Sequence, residues 1–238
     1  MSSNLERRYR ALLKVLPRWY RADREDEMVA LFLEDKDTDH LEYTWPGWGE
    51  AFATLGLSAR VRMGAHGGPA KVVALGESVR ALALLVLVSG VGFAGAAVIN
   101  TLRLATHPEI VWTWWGMVDF APILVLGLLL TGHPASAKVL SGLALLPGIY
   151  SVVSYGNWEA VPFLLPWWIG FGLLCLGFHR EAPKPAAKPW GIAAGVAFAL
   201  GVVTMSVTED AAGFYTLGLV LLGIAMATRV LVPGFRRP

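Results

Sequence analysis

The sequence predicts an all-α protein, an integral membrane bundle of six transmembrane helices behind a small N-terminal cytoplasmic three-helix domain. Three observations carry this prediction. Residues 81–102 are an uninterrupted apolar run of 22 residues between Arg80 and Arg103, and at about 1.5 Å per residue such a helix crosses a hydrocarbon core of roughly 30 Å. The 238 residues are 55% hydrophobic and only 16% charged, where a soluble domain is roughly a quarter charged. Charge is also unevenly placed, with 12 of the 20 Lys and Arg and 12 of the 18 Asp and Glu lying before Ala81. The chain therefore divides into a head at 1–64, a hinge and juxtamembrane segment at 65–78, and a membrane body at 79–238.

In the head, Leu5, Tyr9, Leu12, Leu13 and Leu16 recur at helical spacing, with Glu6, Arg7, Arg10 and Lys14 on other faces, and Pro17 closes the run. A second helix is expected from about Asp23, where Asp23, Glu25, Asp26 and Glu27 suit the positive end of a helix dipole, with Met28, Leu31 and Phe32 as its apolar side. Pro46 and Gly47 open a third pattern in which Trp48, Phe52, Leu55 and Ala59 share a face. Three such helices are expected to cover one another's stripes. The stretch MGAHGGPAK reads as a flexible hinge, although helix can also start at Pro69 and run into the first span. The head is nearly neutral, which argues against direct nucleic-acid binding.

Residues 1–64 resemble the HAAS domain, an α-helical signalling module that precedes transmembrane helices. The resemblance rests on Leu16-Pro17, Tyr20-Arg21, Glu25 to Met28, and Arg60, Arg62 and Gly64. It implies a cytoplasmic partner, a PadR-like winged-helix transcription regulator, and no catalysis. The partner-binding residues expected on this basis are Trp19, Tyr20, Arg21, Glu27, Met28 and Phe32.

In the body, apolar stretches recur at 112–131, 139–156, 161–178, 190–207 and 212–232, which with 81–102 makes six candidate spans. Pro147, Pro162 and Pro166 interrupt the third and fourth, which is tolerable where neighbours satisfy the freed carbonyls. With the head inside, Lys138, Arg180, Lys184, Lys188, Arg229, Arg236 and Arg237 also fall inside and only Arg103 falls outside, so both termini are expected to be cytoplasmic in a plasma (inner) membrane protein. Small-residue steps at Gly92–Ala96 and Gly191–Gly195–Ala199 suit close helix packing within the chain, with a homodimer as their alternative use.

Trp114, Trp115, Trp158 and Trp167 fall toward the outer half of this topology. An interfacial aromatic belt accounts for them, and an outward-facing pocket for a lipid or apolar small molecule is the sharper reading. Asp119 is the one carboxylate inside an apolar span, three residues before Pro122; a cap or water-exposed position competes with a ligand or proton role. Asp119 and these four tryptophans are the ligand-sensing candidates.

No P-loop, Rossmann glycine fingerprint, GxSxG elbow or HExxH pattern occurs, and the five histidines and lone Cys175 are scattered. No catalytic residue, cofactor or metal is expected. The functional expectation is a non-enzymatic membrane sensor that couples a membrane or envelope cue to a cytoplasmic transcription regulator. A transporter or permease-associated subunit, and an anti-sigma factor, are the alternatives.

Overall fold

The computed structural model describes residues 4–34, 45–64, 68–106, 114–179 and 182–208, and all regular structure among them is helical. Two compact units result, Met1–Val79 and Arg80–Pro238.

The first unit contains α1 (Asn4–Leu13), α2 (Arg18–Glu34), α3 (Gly47–Arg62) and the first turns of α4 (Ala70–Ala105). The apolar stripe of α1 is buried as its spacing requires: Leu5, Tyr9, Leu13 and Leu16 form one cluster with Tyr20, Val29 and Phe32 of α2 and Val61 of α3. Tyr9 and Phe32 stack with ring centroids 4.0 Å apart. Burial, and then the Glu50 carboxylate, push the Tyr9 phenol above its usual range.

Two expectations for the head are corrected. Helix α2 starts at Arg18 and not near Asp23, directly after Pro17, whose carbonyl accepts the backbone N–H of Tyr20 and Arg21. Two of the acids expected at its positive end instead face Arg10 of α1, which reaches Asp26 at 2.9 Å and Glu25 at 3.6 Å. Bonds from Arg10 to Asp26 and Glu6 hold its guanidinium more firmly protonated than usual.

Helix α3 departs further. Its buried side is Thr54, Ser58 and Val61, whereas Trp48, Phe52 and Leu55 face solvent. The cause is hydrogen bonding. Three tight turns end α1 and leave the Val15 carbonyl without a helical partner. Ser58 Oγ donates to it at 2.9 Å and Arg62 Nη2 at 2.8 Å, which fixes the rotation of α3. The three helices therefore do not cover all their stripes.

Residues 70–78, assigned to the hinge by composition, are the start of α4, directly after Pro69, whose carbonyl accepts from Val72 and Val73. Within this unit Gly76 lies so close to Met63 that a Cβ would overlap the Met63 carbonyl, and Gly64, at φ +86°, lies beside Val73. The end of α3 and the start of α4 are thus packed backbone to backbone.

The second unit holds the rest of α4, a 3-10 helix (Trp114–Phe120), α5 (Ala121–Leu130), α6 (Pro134–Tyr155), a short 3-10 turn (Trp158–Ala160), α7 (Val161–Gly177) and α8 (Ala187–Thr208). Three of these, α4, α6 and α8, are long and apolar enough to cross a membrane; Gly116–Leu130 and Leu164–Gly177 are shorter apolar helices. The apolar window of α4 is 56% buried against 11% for α6 and α8, so α4 is the central helix of this unit. Ala83, Leu84, Leu87 and Val91 of α4 meet Val125, Leu126 and Leu129 of α5, Ala137 of α6, Leu174 of α7 and Phe178 beyond it.

Of the 112–131 stretch, the described residues 114–131 do not form one α-helix. Pro122, in the first turn of α5, has no N–H to continue a preceding helix, and Asp119 stays in the 3-10 turn ahead of it. Pro147 and Pro166 are accommodated inside α6 and α7. Close packing uses one of the two expected steps: a Cβ on Gly201 of α8 would overlap the Gly92 carbonyl and crowd the Ala96 backbone, and one on Gly95 would overlap the Phe198 carbonyl, while Gly191 and Gly195 of the other step have open space around them. The 212–232 stretch, Glu109, Glu209, Asp210, Arg180 and the terminal arginines lie outside the described residues.

Candidate ligand cavity

A cavity of about 270 Å³ opens between α4, the 3-10 turn, α5, α6 and α7. This is at the lower end of small-molecule pockets, which run from roughly 300 to 1,000 Å³. Its walls are mostly apolar, with Asp119 and Ser141 as the polar groups and Phe93, Pro122, Pro147 and Trp167 among the others. Local sequence accounts for this opening. Pro122 holds Asp119 in the 3-10 turn, outside the α5 hydrogen-bond ladder, and Pro147 removes a backbone donor from the α6 wall. Gly90 makes room for the Trp167 indole, since a Cβ there would strike both the ring and Pro122.

Of the five sensing candidates, the cavity brings together Asp119 and Trp167. Asp119 is not the cap of α5; Phe120 occupies that position and no side chain bonds there. Trp158 lies in its own short turn, 69% exposed and not in the cavity wall. Trp114 and Trp115 begin the 3-10 helix, and their side chains lie outside the described residues. Ser141 and Gly90 escaped the sequence reading, because a serine or glycine on an apolar helix reads equally well as packing, and Pro147 entered it only as the interruption of a span.

No family model, curated protein or solved structure matches the chain. The site therefore rests on its own chemistry: a carboxylate and a hydroxyl in an apolar, aromatic-walled space suit an apolar molecule carrying a hydrogen-bond donor. Among the described residues, no three His, Cys, Asp or Glu side chains are grouped to hold a metal ion.

The six partner-binding candidates of the head separate. Tyr20 and Phe32 are 7% exposed and belong to the core, with Trp19 and Met28 packed against it. Trp19 meets Tyr20 edge-on at 5.8 Å. Arg21 is half-buried and pairs with Glu25 at 3.4 Å; Glu27 alone is exposed. These residues shape the head's interior more than its surface, because the Tyr9–Phe32 stack draws that side of α2 onto α1. Among the described residues of the head, the exposed large apolar ones are Leu31, Trp45, Trp48, Phe52 and Leu55.

Proposed function

We propose that this protein is a non-enzymatic signalling protein of the plasma membrane, in which six spans receive a cue and the N-terminal helical head passes it to a cytoplasmic transcription regulator. The observation that carries this reading is α4. Its 36 residues amount to about 54 Å of helix, where a span needs roughly 30 Å. Its first turns belong to the Met1–Val79 unit and are packed on the end of α3 through Gly76 and Met63, and it continues as the most buried apolar helix of the other unit. A shift of this helix, biased by occupation of the Asp119–Trp167 cavity beside it, alters the head directly. The HAAS-like motifs of residues 1–64 favour a PadR-like regulator as recipient, with both termini cytoplasmic.

The test is co-purification of the full chain from native membranes in detergent. A winged-helix regulator is expected, lost when residues 1–64 are removed. Trp167→Ala should change regulator occupancy, and two glycines inserted between Glu77 and Arg80 should abolish that response while binding persists. An equal response in both backgrounds would refute α4 as the link. Recovery of an ATPase subunit would favour the permease reading, and a sigma factor the anti-sigma reading.

A further inference from the structure

The outward face of α3 carries chemistry that the signalling scheme does not use. Trp48 is 77% exposed, Phe52 67% and Leu55 48%, and Trp45 just ahead of the helix is 64% exposed. The Trp48 and Phe52 rings lie 6.2 Å apart and form one continuous patch. These apolar side chains are turned away from the core of their own unit, into which α3 places Thr54, Ser58 and Val61. Large exposed apolar patches on soluble units mark binding surfaces.

Charge decides the kind of partner. On the helical wheel Arg60 and Arg62 flank the stripe at its C-terminal end, and Arg8 of α1 lies 5.9 Å from the Trp45 ring. The one acid of α3, Glu50, belongs to the other side, where it acts on Tyr9. Glu25 and Asp26 of α2 pair with Arg10 on α1, the helix against which α2 and α3 both pack. Among the described residues the face is thus aromatic and aliphatic, with arginine at its rim. Tryptophan and phenylalanine at headgroup depth, with arginines reaching the phosphates, is the composition of an interfacial helix. The chain also holds such a surface within reach: α3 ends at Arg62 and α4, long and apolar enough to cross a membrane, begins at Ala70.

We propose that α3 docks through Trp45, Trp48, Phe52 and Leu55 on an anionic lipid bilayer surface, with Arg8 and Arg60 on lipid phosphates. Docking links the head's exposure to lipid composition, independently of the cavity. It rests on the chain's being a membrane protein and on no choice of regulator.

The test uses the full chain in nanodiscs of phosphatidylcholine alone or with about 30% phosphatidylglycerol. Cys175 is the single native cysteine and is exposed, so a nitroxide is placed on Phe52→Cys in a Cys175→Ser background. In anionic discs, collisions with a water-soluble nickel complex should fall at least about threefold and collisions with oxygen should rise, as for a label entering the interface. Arg60→Gln, or about 0.5 M salt, should reverse much of this change. Hydrogen exchange across 47–62 in the unlabelled chain should slow in the same discs by about tenfold, which covers the case of a label that disturbs folding. A label equally open to nickel in both discs, with unchanged exchange, overturns the proposal. So does shielding in both discs, which assigns the face to another part of the chain, or dipolar broadening between labels, which assigns it to a second copy. Failure of the chain to enter discs would instead refute the membrane reading beneath it.

Discussion

In the Met1–Val79 unit the buried positions are large: Leu5, Tyr9, Leu13, Leu16, Tyr20 and Phe32. In the Arg80–Pro238 unit the central helix buries Ala81, Ala83, Ala94, Ala96 and Ala97 among its core positions, while Val139, Leu143, Leu146, Val153, Ile192 and Val203 lie exposed. The two units differ in what they bury and what they expose. In water, the drive is to remove large apolar side chains, and polar groups are left outside. In lipid, a leucine gains nothing by leaving the surface, so helices associate where small residues let backbones approach. Helix α3 belongs to the first unit yet shows an outer face with exposed large apolar residues like that of the second.

Substitutions can break this comparison, the strongest first. Gly201→Leu drives a side chain into the Gly92 carbonyl and the Ala96 backbone; a loss of about 4 kcal/mol or more is expected, visible as loss of monodisperse protein in detergent. Gly191→Leu, with open space around it, should stay within about 0.5 kcal/mol on the same measurement. If the two variants behave alike, close α4–α8 packing does not organise the body. Leu13→Ala, at a fully buried position of the head, should cost about 3 kcal/mol, measured as faster hydrogen exchange across 4–34 with the body unchanged.

Ser58→Ala removes a donor from the Val15 carbonyl but leaves Arg62 on it, so a loss of only about 1 kcal/mol is expected. With Arg62→Gln added, the loss should exceed the sum of the single changes, and Trp48 should become less exposed to an aqueous quencher as α3 loses its fixed rotation.

The smallest effect concerns pH. Burial raises Tyr9 above its unfolded value of about 10. Below that value the phenol is neutral in both states and stability is unaffected. As pH rises through and beyond about 10 the unfolded chain ionises first, so the head loses stability, and Tyr9→Phe should remove that part of the loss. Proteolysis within residues 4–34 at pH 8 and at about pH 10.5 measures it.

The periodicity of Leu5, Tyr9, Leu13 and Leu16 located α1 and its buried side, and the unbroken run at 81–102 located a helix able to cross a membrane. Both signals are local, because a stripe or a run of apolar residues is complete within one helix. The start of α2 was misread because its acids resemble a helix terminus, whereas their partner, Arg10, is on another helix. The cavity was legible only in its two conspicuous members, Asp119 and Trp167. Its other walls are residues whose role depends on what stands opposite.

By itself, the sequence determined that this is a helical chain with an amphipathic beginning and an apolar remainder, since composition and period depend on nearest neighbours along the chain. Tertiary structure decided which side of α3 faces inward, through donors 43 and 47 residues from the Val15 carbonyl. It also decided which glycines admit a neighbouring backbone and where Asp119 points. Those choices follow from satisfying buried backbone groups and from the shape of opposing surfaces, and both are set only once distant segments meet.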